Sequence, residues 1–361
     1  MSIDRKEALG RGRILAFSSI RVVACIAIVI LHTFNVAEIL YRDQILNTDR
    51  MITMAVVYCL MWAVPCFLMV SGALLLDPSR EIPLKKIYCV YLPRVLGALI
   101  VFVFVFRLFD MVMTGEAMTA DVFVSALLKL VTGGSWSHLW YIYLLIGFYL
   151  LLPVYRVLTD AGNPRLLRYF LLICFIFLSL LPQLELTGIS SAFQIQIAGI
   201  YPLYFLAGYC ISKGIVKLDI KVYALLLVLA TAGIIFLTFL RFSMSFEILD
   251  ILLGSYASPF VVLQAVGVFG LFFEKDRKAG IDKENNDRTG KMTKIIDFFD
   301  GNSFGVYLIH MIWIRLVLRH MMIDPYDMGW WFFPVFIIGN FVLSSLLVWV
   351  LRKIPGLRKI L

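Results

Sequence analysis

Runs of about twenty mostly apolar residues recur from one end of this 361-residue chain to the other, and they limit what it can fold into. Lipid offers no partner for backbone N–H and C=O groups, so a run of that length crosses a bilayer as a helix. On that rule helices are expected near 14–36, 51–76, 88–112, 137–158, 166–182, 194–212, 222–240, 254–273, 303–320 and 330–351. Hydrophobic residues make up 61% of the chain and charged ones 16%, with a mean hydropathy of +0.90. An ordinary soluble domain carries about 25% charged residues. No soluble block separates the runs, so residues 1–361 read as a single all-α, polytopic membrane domain of about ten transmembrane helices. The first run follows Arg5, Lys6, Arg11 and Arg13 as a signal peptide would. It is too long for a signal core, however, holds Arg21 and His32, and lacks a clear small-residue cleavage site.

Charge sets the expected orientation. With the N-terminus inside, 24 of the 33 Lys and Arg fall in cytoplasmic segments. Outer loops hold Arg42, Arg50, Lys129, Arg241 and Arg319, and spans hold Arg21, Arg94, Arg107 and Arg315. That asymmetry predicts an even number of spans with both termini cytoplasmic. The stretch EKDRKAGIDKENNDRTGKMTK, within about 274–297, has no apolar periodicity and reads as a flexible cytoplasmic linker. The outer loop of about 113–136 carries Val122, Phe123, Ala126, Leu127 and Leu130 at the spacing of an interfacial amphipathic helix. The net charge of +9 lies in short clusters between apolar runs, which points to anionic headgroups and an anionic cytoplasmic substrate and away from nucleic acid. All six cysteines fall in or beside apolar runs and read as packing residues, without a disulfide framework.

A charged side chain is costly inside a bilayer, about 2.5–3.5 kcal/mol for Arg at a helix centre, so each one marks a functional candidate. In the segment SSIRVVACIAIVILH, Arg21 and His32 are eleven residues apart. Steps of about 100° bring them within about 20° of one azimuth, and a rise of about 1.5 Å per residue separates them by about 16 Å. A cation near the inner mouth and an imidazole in the outer third of the bilayer suit one interior channel. The plainer reading has Arg21 snorkelling to the inner interface and His32 bonding a neighbouring helix. Arg107 and Asp110 are spaced for a local ion pair, and the Ser71–Gly72 pair for close helix packing. No His, Cys or Glu cluster has metal-ligand spacing, so no catalytic metal is expected.

With Arg21 and His32 so placed, the chain resembles the membrane-bound acyltransferase 3 family, bacterial O-acyltransferases that modify carbohydrates at the cell envelope. The family's hallmark is an Arg, ten residues and a His on the first helix. Further similar segments follow in order: PCFLMVSGALLL, HLWYIYLLIGFYLLLP, YPLYFLAGY and GNSFGVYLIH. Two positions depart from the family pattern. Members commonly carry an Asp three residues before the Arg, where this chain has Ser18, so a carboxylate partner for Arg21 comes from elsewhere or is absent. Members also often open the third helix with Arg-x-x-Arg, where Tyr91 here precedes Arg94.

The resemblance implies transfer of an acyl group, usually acetyl, from cytoplasmic acyl-CoA to a hydroxyl of an envelope carbohydrate or glycolipid at a bacterial inner (plasma) membrane. Acetyl-CoA would be a co-substrate, with no permanently bound cofactor. His32 would act as general base and Arg21 would position the donor, while Lys85, Lys86 and Arg94 would meet the anionic nucleotide. His138, Trp140 and Tyr141 would face the acceptor, or else form a wet interface with Trp136. Tyr307 and His310 would line the channel, or His310 would make a structural bond between helices. Glu247 and Asp250 would bind sugar hydroxyls or remain solvated, as His320 would. A transporter or flippase, and a non-catalytic sensing or uptake module, are the competing classes. The first is disfavoured by the lack of repeated halves, the second by the intact Arg21 and His32.

Overall fold

The computed structural model of the protein describes residues 3–160, 162–180, 182–183, 199–282 and 291–361, with side chains for those between 15 and 278 and from 292 onward. Its helices in chain order are α1 (Ile3–Tyr41), α2 (Asn47–Cys59), α3 (Ala63–Leu75), α4 (Leu84–Lys86), α5 (Leu92–Thr114), α6 (Ala120–Thr132), α7 (Trp140–Asp160), α8 (Pro164–Phe175), α9 (Tyr201–Ser212), α10 (Ile220–Ser243), α11 (Leu249–Leu253), α12 (Pro259–Asp282), α13 (Lys291–Ile314), α14 (Phe332–Leu351) and α15 (Pro355–Arg358). Wider π turns lead into α5 at Ile87–Tyr91, extend α8 over Ile176–Leu180 and extend α13 over Arg315–His320. No strand occurs among the described residues.

Among the described residues, seven helical stretches are long and apolar enough to cross a membrane: Leu15–Tyr41, Asn47–Leu75, Leu84–Thr114, Ser137–Asp160, Ile220–Ser243, Met292–His320 and Phe332–Leu351. The span expected at 51–76 is two helices that meet at 60–62. Pro65 has no N–H to offer the carbonyl one turn back, so the helix restarts there. The other three expected spans fall short of the same length and polarity. The 166–182 run is α8 with its π turn, and the 194–212 run lies partly outside the described residues, with α9 beginning at Tyr201. In α12, the charges of Glu274, Lys275 and Asp276 end the apolar run at Phe273.

The charged stretch read as a flexible linker is helical at both ends. α12 continues to Asp282 and α13 begins at Lys291, while residues 283–290 lie outside the described residues. An ion pair between Arg277 and a buried Glu274, one turn apart at 2.7 Å, helps carry α12 beyond its apolar run. The amphipathic segment at 113–136 is α6, with Val122 and Ala126 buried and Phe123 and Leu127 exposed.

Apolar side chains cover the outside of the peripheral helices as well as the inside. On α10, Tyr223, Ala230 and Ile234 are buried, yet Val228, Leu229 and Phe236 are each more than half exposed. That surface suits lipid as its solvent. Around the core of α1, α3, α12 and α13, two pairs of helices distant in sequence run parallel. Along α1 and α13, Arg21 meets Asp300, Cys25 meets Ser303, His32 meets His310 and Tyr41 meets Leu318, so both helices rise together. Between α3 and α9 the contact is backbone on backbone. A Cβ on Gly72 would lie 1.7 Å from the Phe205 carbonyl oxygen, and one on Gly208 would lie 1.9 Å from that of Met69. Only glycine permits that approach. Both helices then end together, where Lys213 pairs with Asp77 at 2.5 Å. Burial works to raise the Asp77 carboxyl, but hydrogen bonds from Lys213 and Ser79 outweigh it and hold the group below the usual carboxylate range.

Candidate functional site

The parallel packing of α1 on α13 sets two polar stations along α1, one at Arg21 and one at His32. At the first, Arg21 makes a two-pronged ion pair with Asp300, Nε to Oδ1 at 2.6 Å and Nη2 to Oδ2 at 2.7 Å. Ser18 Oγ donates to the same Oδ2 at 2.7 Å. The carboxylate absent at position 18 is therefore supplied by α13, and the serine in its place helps to hold it. Flat, bidentate pairing of this kind fixes the plane of the guanidinium.

At the second station three imidazoles gather. His32 Nδ1 lies 2.7 Å from His310 Nε2, the two rings being nearly coplanar with centroids 5.0 Å apart. His138 stands roughly perpendicular to both, with centroids 6.2 Å from His32 and 5.6 Å from His310. His310 is 0% and His138 2% exposed, whereas His32 keeps part of its surface accessible. His310 Nδ1 points at the Val306 carbonyl, 3.0 Å away, and Asn340 Nδ2 donates to the His310 carbonyl at 3.1 Å. His138 Nε2 faces the Leu308 carbonyl at 3.3 Å, while its Nδ1 is buried with no hydrogen-bond partner among the described residues. The Tyr307 hydroxyl donates to the His138 carbonyl. No carboxylate bonds to any of the three rings among the described residues.

Aromatic side chains surround this station. Tyr307 packs edge-on to Tyr141, and Tyr141 edge-on to Trp140. Trp140 in turn lies 5.6 Å from Tyr201 and 5.3 Å from Tyr256 between ring centroids. Trp136 stacks flat on Phe106 at 4.1 Å, with the Arg315 guanidinium 4.0 Å from its ring. The residues expected to face an acceptor are thus brought together with His32. Arg94, Lys85 and Lys86 are not: Arg94 Nη2 donates to the Leu361 main-chain oxygen at 2.8 Å, Lys86 lies over Tyr91, and Lys85 is exposed on α4.

Two local expectations change. Asp110 does not pair with Arg107 but accepts from Trp136 Nε1 at 3.0 Å and meets Arg315 at 3.4 Å. Arg107 turns instead to Glu116 at 2.6 Å and to Ser125 on α6 at 2.9 Å. Each finds a better partner on another element than across one turn of α5. Asp250 is also engaged, by Arg241 and by the Tyr58 hydroxyl. His320 stays partly exposed and packs edge-on against Phe109. Ser71 donates to the Phe67 carbonyl one turn back.

Among the described residues no group of three or more His, Cys, Asp or Glu side chains is placed to hold a metal ion, and the six cysteines are free thiols. Asp300 and Glu38 were not singled out from sequence. Glu38 is 3% exposed, lies beyond His32 on α1, and pairs with both Arg42 and Arg50. The usable signal for Asp300 was its place ten residues before His310, close to the spacing of Arg21 and His32. Neither a curated protein nor a solved structure matches the chain. A family match, to the acyltransferase domain of the acyltransferase 3 family, covers residues 14–349. Together with its apolar helices, that match over nearly its whole length shows that the chain belongs to the acyltransferase 3 family and is a multi-pass membrane acyltransferase.

Proposed function

We propose that the protein is an O-acyltransferase of a bacterial inner membrane that moves an acetyl group from cytoplasmic acetyl-CoA to a hydroxyl of an envelope carbohydrate or glycolipid. The observation that carries this reading is the meeting of His32 with His310 and His138, one accessible imidazole among two buried ones, in a chain of an acyltransferase family. His32 acts as general base. The acceptor oxygen attacks the thioester carbonyl carbon, a C–O bond forms, the C–S bond breaks, and the hydroxyl proton passes to His32 and on to the departing thiolate. Trp140, Tyr141 and Tyr307 offer the flat aromatic faces that suit a sugar, and His138 packs behind His32. Arg21, fixed by Asp300, positions the donor. Arg94, Lys85 and Lys86 supply positive charge toward its nucleotide phosphates.

Ten spans with both ends in the cytoplasm complete the reading, and the direction of helix packing supports them. Four of the seven long stretches lie between α1 and α13, an even number that would make those two helices antiparallel. They run parallel, so an odd number of further crossings belongs between them. α8, α9 and α12 provide three. The parallel course of α3 and α9 asks the same of α8.

The test uses radiolabelled acetyl-CoA and membranes carrying wild-type protein or His32→Ala at equal abundance. Label should enter envelope carbohydrate only with the wild type. Equal labelling by the variant would remove His32 from the chemistry.

A further inference from the structure

Which nitrogen of His32 takes the proton follows from the chain of contacts behind it. The Val306 carbonyl can only accept, so the nitrogen facing it, His310 Nδ1 at 3.0 Å, must carry the hydrogen. In a neutral ring one nitrogen carries hydrogen and the other a lone pair, so His310 Nε2 is bare and must accept. The atom facing it at 2.7 Å is His32 Nδ1, which must then be the N–H. That leaves the lone pair of His32 on Nε2, which has no protein partner among the described residues. Both nitrogens of His310 are thereby committed to protein atoms, and neither is left for a substrate.

We infer that His310 is a positioning residue for the acyl transfer: it holds His32 as the Nδ1–H tautomer, so that Nε2 is the atom that removes the acceptor's proton. The inference rests on the reading of His32 as general base. In this role His310 stands where many hydrolytic sites use a carboxylate. When Nε2 gains the proton, the bond from Nδ1 to His310 becomes charge-assisted and strengthens, which favours the state formed during transfer. The Val306 carbonyl, buried one turn before His310 on α13, completes a line of three acceptors and donors that ends at His32. Asn340 on α14 steadies the His310 backbone from the other side.

Two His310 variants separate this role from mere packing. His310→Gln retains an oxygen to accept from His32 and an amide to donate to Val306, whereas His310→Leu fills similar space with neither. Transfer of label from acetyl-CoA to envelope carbohydrate is measured across acetyl-CoA concentrations, with protein abundance in the membrane matched. His310→Leu should lower the maximal rate by about 10²–10⁴-fold with KM for acetyl-CoA little changed. His310→Gln should recover most of the loss. Equal loss in both variants, or a maximal rate for His310→Leu within about threefold of wild type, would overturn the inference. A second experiment leaves His310 intact and places Nε2-methylhistidine at position 32, a ring whose lone pair is on Nδ1 alone. It should be as inactive as His32→Ala, and transfer at a rate near wild type would exclude Nε2 as the base. If His32→Ala is itself fully active, the reading of His32 fails. If only the His310 and methylhistidine results go the wrong way, the tautomer assignment alone fails.

Discussion

Ser18 and Asp300 show how one side chain's task can be shared by two positions. Ser18 sits one turn before Arg21 and touches the carboxylate that binds Arg21, so an acid at position 18 would reach the same guanidinium from its own helix. Asp300→Asn should therefore reduce acyl transfer by leaving a partly buried cation unpaired and free to turn, and should also cost stability, about 3–5 kcal/mol where a fully buried pair is broken by removing one partner. Its partial exposure, 27% for Arg21 and 14% for Asp300, places the effect at the lower end or below. Adding Ser18→Asp should restore most of the activity, and labelling by the single and double variants checks this. Arg21 and His32 themselves were legible in the sequence, because a charge and an imidazole on one azimuth of an apolar helix are conspicuous. Asp300 was less so, because it pairs across 279 residues and its one mark is a place ten residues before His310.

At the scale of elements, the parallel contact of α3 and α9 depends on two missing side chains. Overpacking an interior ordinarily costs about 1–3 kcal/mol, and here the obstacle is main chain that cannot rotate away. Gly72→Ala should accordingly lower the thermal midpoint of the purified protein in detergent, whereas Gly147→Ala on α7, where an added Cβ meets nothing within 4 Å among the described residues, should leave it unchanged or slightly higher. The close packing of the Ser71–Gly72 segment was readable from its small residues, although the choice of α9 as partner was not. Helix ends were the least legible feature. The apolar period stops at Phe273, yet the helix runs on to Asp282, since charged residues that form helices well need no buried face to continue one. Ion-pair partners are hard to read from sequence for a related reason. Spacing along one helix proposed Arg107 with Asp110, but the partners that won lie on α6 and α13 and in the segment after α5.

For the whole molecule, composition was enough to indicate a helical membrane protein, because lipid admits few other solutions. The number of crossings was harder to read, since α8, α9 and α12 are short, interrupted or charged at one end. Single cysteines in a cysteine-free protein test the arrangement. At Gly133, after α6, a membrane-impermeant thiol reagent should label intact cells, and at Lys353, after α14, it should label only after the membrane is opened. Labelling of both in intact cells would rule out an even number of crossings with both ends inside.

The ladder between α1 and α13 also has a consequence in time. Arg21 leaves the ribosome 279 residues ahead of Asp300. At about 5–20 residues per second that is a delay of roughly 15–55 s. For that interval the first helix resides in or beside the bilayer with its guanidinium uncompensated and its histidine without its later neighbour. Shelter at the insertion machinery or from lipid phosphates has to bridge the gap, and a chain halted before α13 would carry that exposed charge for as long as it survived quality control.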